Sequence, residues 1–140
     1  MRSLETKQQK VGYLIMDMFN LPDDRFYNGY EDEPEVELSL DGNEQESIHI
    51  WFGYISDILD HPDLSGNGWT GFMRDYQQGE RTIENLGQIV PIDLDEYIAD
   101  WKQYSDRVFD LPETKECYDF ILAFMEYARR EGRTVTVTYW

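Results

Sequence analysis

The sequence predicts an α+β domain: a mainly antiparallel sheet with helices packed on one face. Three patterns carry this: apolar alternation from Glu35 to Phe52 around an Asp41-Gly42-Asn43 reversal, helical spacing of apolar residues in the last third, and a closing alternation from Thr134 to Tyr139. At 140 residues the chain fits a single domain spanning 1–140, and 41% hydrophobic with 15% aromatic residues supplies one core.

The elements follow in order. From Lys10 to Phe19, Val11, Tyr13 and Ile15 alternate with Leu14, Met16 and Met18, so both faces are apolar and a strand covered on both sides is expected, with the final strand docked beside it. Asn20 to Pro34 contains Leu21-Pro22-Asp23-Asp24 and Asn28-Gly29, which is turn chemistry without a period, and predicts a loop. Next, Val36, Leu38 and Leu40 share one face of a strand while Glu35, Glu37 and Ser39 share the other, which is expected to be wet. After the reversal Ile48, Ile50 and Phe52 resume the inner face, placing His49 and Trp51 outside with the glutamates.

Beyond Gly53, Tyr54, Ile55, Ile58 and Leu59 recur at helical spacing up to a stop near His61-Pro62. Ser65 to Gly68 predicts a flexible connector; Trp69, Phe72, Met73 and Tyr76 a second helical face or an irregular aromatic segment with Gly71 inside it; and Gln88 to Val90 a short strand. Asp93 with Glu96 three residues later starts a helix bearing Leu94, Tyr97, Ile98, Trp101 and Tyr104. Asp110, Glu113 or Thr114 starts another, along which Cys117, Phe120, Ile121, Phe124, Met125 and Ala128 form the apolar face. Arg129 and Arg130 complement its C-terminal dipole, Gly132 ends it, and Val135, Val137 and Tyr139 alternate with threonines in the last strand.

Charge is distributed unevenly along this framework. The formal net charge is −17, and between Arg25 and Arg74 no Lys or Arg offsets 11 acids: Glu31, Asp32, Glu33, Glu35, Glu37, Asp41, Glu44, Glu46, Asp57, Asp60 and Asp63. Such a field repels nucleic acid and anionic membranes and attracts cationic partners. The same window holds Tyr27, Tyr30, Trp51, Phe52, Tyr54 and Trp69, and aromatic side chains are common anchors of protein interfaces. An acidic run from Glu31 to Glu37 also has a plain reading as a solvated loop that blunts an edge strand.

Motifs for chemistry are missing. Cys117 lies on an apolar helix face, as a structural thiol does. His49 and His61 do not match a metal-ligand spacing, and no Lys-Ser or Lys-Thr follows the glycines near Gly66, Gly68 and Gly71, so neither a metal nor a cofactor is expected. With 29 acids, some carboxylate pair must approach another by chance, so pairing alone carries no weight for glycosidase-type chemistry. One cysteine forms no internal disulfide, Met1 to Lys10 is polar without a leader-like apolar core, and Val11 to Phe19 is far shorter than the ~20 residues that span a bilayer. The expected compartment is the cytoplasm.

In length, composition and the helix-then-strand ending from Glu116 to Trp140, the chain is similar in overall character to bacterial immunity proteins, which neutralise a cognate toxin by covering its active site or an essential surface. The resemblance implies a non-catalytic inhibitor of a basic toxin, with a nuclease as the expected target because nucleases that grip phosphate are often basic. The expected contact surface is Tyr30, Glu31, Asp32, Glu33, Glu35, Glu37, Trp51, Asp57, Asp60 and Trp69, with the acids steering and the aromatic rings anchoring. A DNA-mimic regulator of a nucleic-acid-binding protein is the alternative, a small carboxylate-based enzyme a third reading, and a homodimer through the aromatic residues stays open.

Overall fold

The computed structural model describes residues 19–59, 71, 73 and 90–139. The strand predicted over Lys10 to Phe19 (all but Phe19 itself), the Ser65 to Gly68 connector, and the candidate contact residues Asp60 and Trp69 lie outside them. Among the described residues the order is β1 (Asp23–Phe26), β2 (Glu35–Leu40), β3 (Asn43–Trp51), α1 (Phe52–Leu59), β4 (Val90–Pro91), α2 (Leu94–Lys102), α3 (Thr114–Arg130) and β5 (Val135–Tyr139). The strands form one sheet in the order β1-β3-β2-β5-β4, antiparallel except where β1 runs parallel to β3. The predicted α+β architecture is therefore present.

Central β2 and β5 explain where the core sits. Val36, Leu38, Leu40, Ile48, Ile50, Val135 and Val137 point to one face and join Ile55, Ile58, Trp101, Ile121, Phe124 and Met125 of the helices in a continuous core. Trp101 and Tyr118 fasten α2 to α3: their rings lie parallel at 5.3 Å, Trp101 Nε1 donates to the Tyr118 carbonyl at 3.1 Å, and Tyr118 Oη donates to the Trp101 carbonyl. Burying both rings while satisfying both polar tips is what a mixed helix interface needs. Cys117 is a free, buried thiol in this layer, and burial pushes its pKa well up.

Two expectations are corrected here. The stretch Asn20 to Pro34 is not all loop, because Asp23–Phe26 forms a strand that pairs with β3. Its sequence hides this: Asp23 is buried yet polar, accepting from Asn20 N at 2.9 Å, Arg25 N at 3.2 Å and Arg25 Nη2 at 2.7 Å, so the strand carries no apolar alternation. The outer face of β2 is also not wet, since Glu37 is 6%, Ser39 2% and the neighbouring Thr138 1% exposed. Alternation assigns side chains to a face but says nothing about what lies over the polar one.

The helix termini follow the predicted chemistry with one substitution of partners. Asp93 Oδ1 accepts from Glu96 N at 3.2 Å and starts α2. At α3, Glu113 supplies no side-chain cap; instead Asp57 of α1 accepts from Asp110 N and Leu111 N, both at 2.9 Å, and from Thr114 Oγ1 at 2.5 Å. A buried carboxylate thus meets the positive end of α3 from another helix.

At the closed end of the hairpin, Arg133 binds Asp41 at 2.7 Å and Glu46 at 2.8 Å, while Asp41 also accepts from Thr134 N at 3.0 Å. The Arg133 guanidinium holds both carboxyls below their ordinary values of 3.8 and 4.5. Acids with depressed folded pKa values stabilise the fold above the unfolded pKa, and that stability is lost as pH falls through the folded value. Arg133→Gln is expected to be less stable than the parent near neutrality and to show a shallower loss below those values, as urea midpoints across the acid range would record.

Candidate functional site

Tyr27 to Pro34 leads into β2 at the open end of the hairpin, and its backbone is tightly tied. Tyr27 N and Asn28 N donate to the Asp24 carbonyl at 2.8 and 2.7 Å, Glu33 N donates to the Tyr30 carbonyl at 3.0 Å, and Tyr27 Oη donates to the Glu33 carbonyl at 2.8 Å. Glu31 accepts from Gly29 N at 3.1 Å, and backbone N–H groups, its own first, hold its carboxyl below the usual range. Glu31, Asp32 and Glu33 all stand exposed on this frame. The Tyr27 phenol registers their field: burial first, then the charges of Glu35, Asp32 and Glu31, push its pKa up.

The loop is seated on an aromatic stack. Tyr30 lies face to face with Trp51 at 3.9 Å and 5°, and both are half-buried. Tyr54 meets Trp51 edge-on at 5.2 Å and Tyr30 at 6.0 Å; from there contacts run through Phe26 to Phe120 and Phe19 in the core. Burial and a hydrogen bond with Tyr30 raise the Tyr54 phenol well above its ordinary value. The sequence left open whether Trp51 was covered or displayed, and it is in part both. The indole contacts Tyr30, Tyr54 and the Gly53 backbone; Tyr30, remote in sequence and on a loop, had no periodic signal.

The outer face of the hairpin brings Glu35, Glu37 and His49 together as the alternation predicts. His49 Nδ1 lies 3.0 Å from Glu35 Oε2, and His49 Nε2 lies 3.0 Å from Ser47 Oγ and 3.5 Å from Glu37 Oε1. A serine, histidine and glutamate linked in this order have the connectivity of a nucleophile, base and orienting acid. Ser47, however, is fully buried and donates its hydroxyl hydrogen to the Glu44 carbonyl at 2.7 Å. The arrangement displays no nucleophile to a substrate. Among the described residues, no group of three or more His, Cys, Asp or Glu side chains is placed to hold a metal ion, and no helix is long and apolar enough to cross a membrane.

Two acids leave the candidate contact surface. Asp57 is buried under the N-terminus of α3, where its carboxylate is committed to the cap. Glu37 is buried on the sheet, where it accepts from Ser39 Oγ at 3.4 Å and lies 3.5 Å from His49 Nε2. Burial raises its pKa, His49 opposes the rise, and the charges of Glu44 and Glu35 add to it. A raised acid keeps its proton longer in the folded chain, so its ionisation lowers stability as pH climbs past 4.5. Glu37→Gln is accordingly expected to gain on the parent as pH rises, the difference in urea midpoint being larger at about pH 8 than at about pH 4.

What remains is one compact surface. Glu31, Asp32 and Glu33 project beside Tyr30 and Trp51, with Glu35 at its edge under His49. At the closed end of the hairpin Asp41 and Glu46 are paired with Arg133, while Glu44 is exposed there. No family model, curated protein or solved structure matches the chain.

Proposed function

We propose that the chain is a non-catalytic, immunity-type inhibitor that binds and neutralises a basic toxin, a nuclease in particular, through the open end of the β2–β3 hairpin. The observation that carries this reading is the pinned, exposed acidic trio Glu31–Asp32–Glu33 set directly against the half-buried Tyr30–Trp51 stack. Acids on a rigid loop steer a cationic partner toward the surface, and rim charges of this kind act mainly on the association rate. The stack supplies a rigid aromatic area with little conformational entropy left to lose, which is the usual character of an energetic anchor. A nuclease groove bearing lysines and arginines for phosphate would meet both features at once.

Three consecutive exposed acids on a tied loop next to the Tyr30–Trp51 stack support a protein-specific anchor over the DNA-mimic alternative, which needs carboxylates spread at phosphate-like intervals along a surface. The deciding experiment is co-expression with the product of the gene immediately upstream. A stoichiometric complex, together with rescue of growth from that product's toxicity, is expected. Absence of both complex and rescue, in a strain where the upstream product is demonstrably toxic, would overturn the reading.

A further inference from the structure

Gly53 occupies the first turn of α1, and its backbone lies outside the left-handed region that calls for glycine. At such a helical position alanine improves the folding equilibrium by a factor of roughly 2–5 over glycine, so backbone energetics argue against the residue found. Side-chain space explains it: a Cβ on Gly53 would overlap Cη2, Cζ2 and Cζ3 of the Trp51 indole. The six-membered part of the indole lies directly against the Gly53 backbone, and Tyr30 stacks on the same indole at 3.9 Å.

We infer that Gly53 is the positioning residue of the contact surface, an assignment that rests on the inhibitor reading: by lacking a side chain it lets Trp51 fold back as a platform, and the platform fixes Tyr30 and the Glu31–Glu33 loop for a cationic partner. Tyr54 one residue later meets both Trp51 and Tyr30 edge-on, so the start of α1 supplies both the gap and a brace for the stack. The sequence Trp51-Phe52-Gly53-Tyr54 encodes a local device whose purpose is visible only when the indole's direction is known.

The test uses the full chain as Gly53→Ala, Trp51→Ala, the two combined, and Trp51→Phe with Gly53→Ala. Near-UV circular dichroism reads the Trp–Tyr stack, far-UV circular dichroism reads the fold, and titration with a hexa-arginine peptide at low salt reads the cationic contact. Gly53→Ala is expected to keep the far-UV spectrum, lose the stack signal and weaken peptide binding by about threefold or more, with no further loss in the Trp51→Ala background. Trp51→Phe, which lacks the distal indole atoms, is expected to restore folding and part of the binding to Gly53→Ala, and it keeps the test decisive should the single variant fail to fold. A Gly53→Ala chain that keeps its near-UV signal and becomes 2–5-fold more stable would overturn the assignment, as would loss of the stack with peptide affinity unchanged. A parent chain indifferent to the peptide would instead sink the inhibitor reading, while the near-UV comparison still decides whether Gly53 sets the indole.

Discussion

Asp57→Ala is expected to lower stability by about 3 kcal/mol, because it strands two backbone N–H groups and a buried hydroxyl together. The carboxylate accepts from Asp110 N, Leu111 N and Thr114 Oγ1, and is itself 8% exposed, so water cannot simply replace it. It also faces the N-terminal end of α3, where negative charge is favourable. For a domain of this size the loss corresponds to a drop in Tm of roughly 10 °C. Asp57→Asn retains an acceptor oxygen but points an amide donor at other donors, and is expected to recover only part of the loss. Chemical denaturation of both variants checks this; an Asp57→Ala chain within about 0.5 kcal/mol of the parent would mean the cap contributes no more than an ordinary surface contact.

If the chain inhibits a toxin as proposed, Trp51→Ala is expected to weaken that binding by about 2 kcal/mol, roughly 30-fold, and to do so mainly by speeding dissociation. The indole connects the acidic loop to the core: Tyr30 stacks on it, Tyr54 braces it, and Phe26 and Phe120 continue the contact inward. Its removal takes away both an anchor and the seat on which Glu31, Asp32 and Glu33 are presented. Tyr30→Ala should reproduce much of the loss, and the double variant should lose less than the sum, since the two rings act as one unit. Surface plasmon resonance separates the rates. Additive losses from Tyr30 and Trp51 would mean that the rings contact the partner independently of their stacking.

The legible parts of this fold are those where a single period governs the residues. Alternation in Val36, Leu38, Leu40, Ile48 and Ile50 located the hairpin, and helical spacing from Cys117 to Ala128 located α3, because each pattern reports one face turned to one core. Asp93 and Glu96 located the start of α2 because a cap is a local hydrogen bond. Long-range polar pairing left no such mark: Asp23 inside β1, Asp57 under a helix that begins 57 residues later, and Arg133 on Asp41 and Glu46 all depend on the tertiary arrangement. The candidate site divides along the same line. Its acids and Trp51 stand out in composition and parity, whereas the Tyr30 stack and the gap at Gly53 are matters of side-chain direction.

The separation of acids into working groups also changes what the large negative charge means. Asp41 and Glu46 serve the closed end of the hairpin through Arg133, Asp57 serves α3, and Glu37 is buried with His49 nearby. Among the described hairpin-end residues, the loop acids Glu31, Asp32 and Glu33 are the ones presented on a rigid exposed frame. In the proposed reading steering belongs to these loop acids, whereas Asp41, Glu46 and Asp57 hold the fold together.

Stopped-flow association of the chain with the proposed toxin partner over about 50 to 500 mM salt tests the steering role proposed for this loop most directly. The parent rate is expected to fall about tenfold or more across that range, and the Glu31→Gln, Asp32→Asn, Glu33→Gln triple variant to start slower and respond far less to salt. Rates that stay flat with salt, or a triple variant whose association matches the parent at every ionic strength, would contradict it.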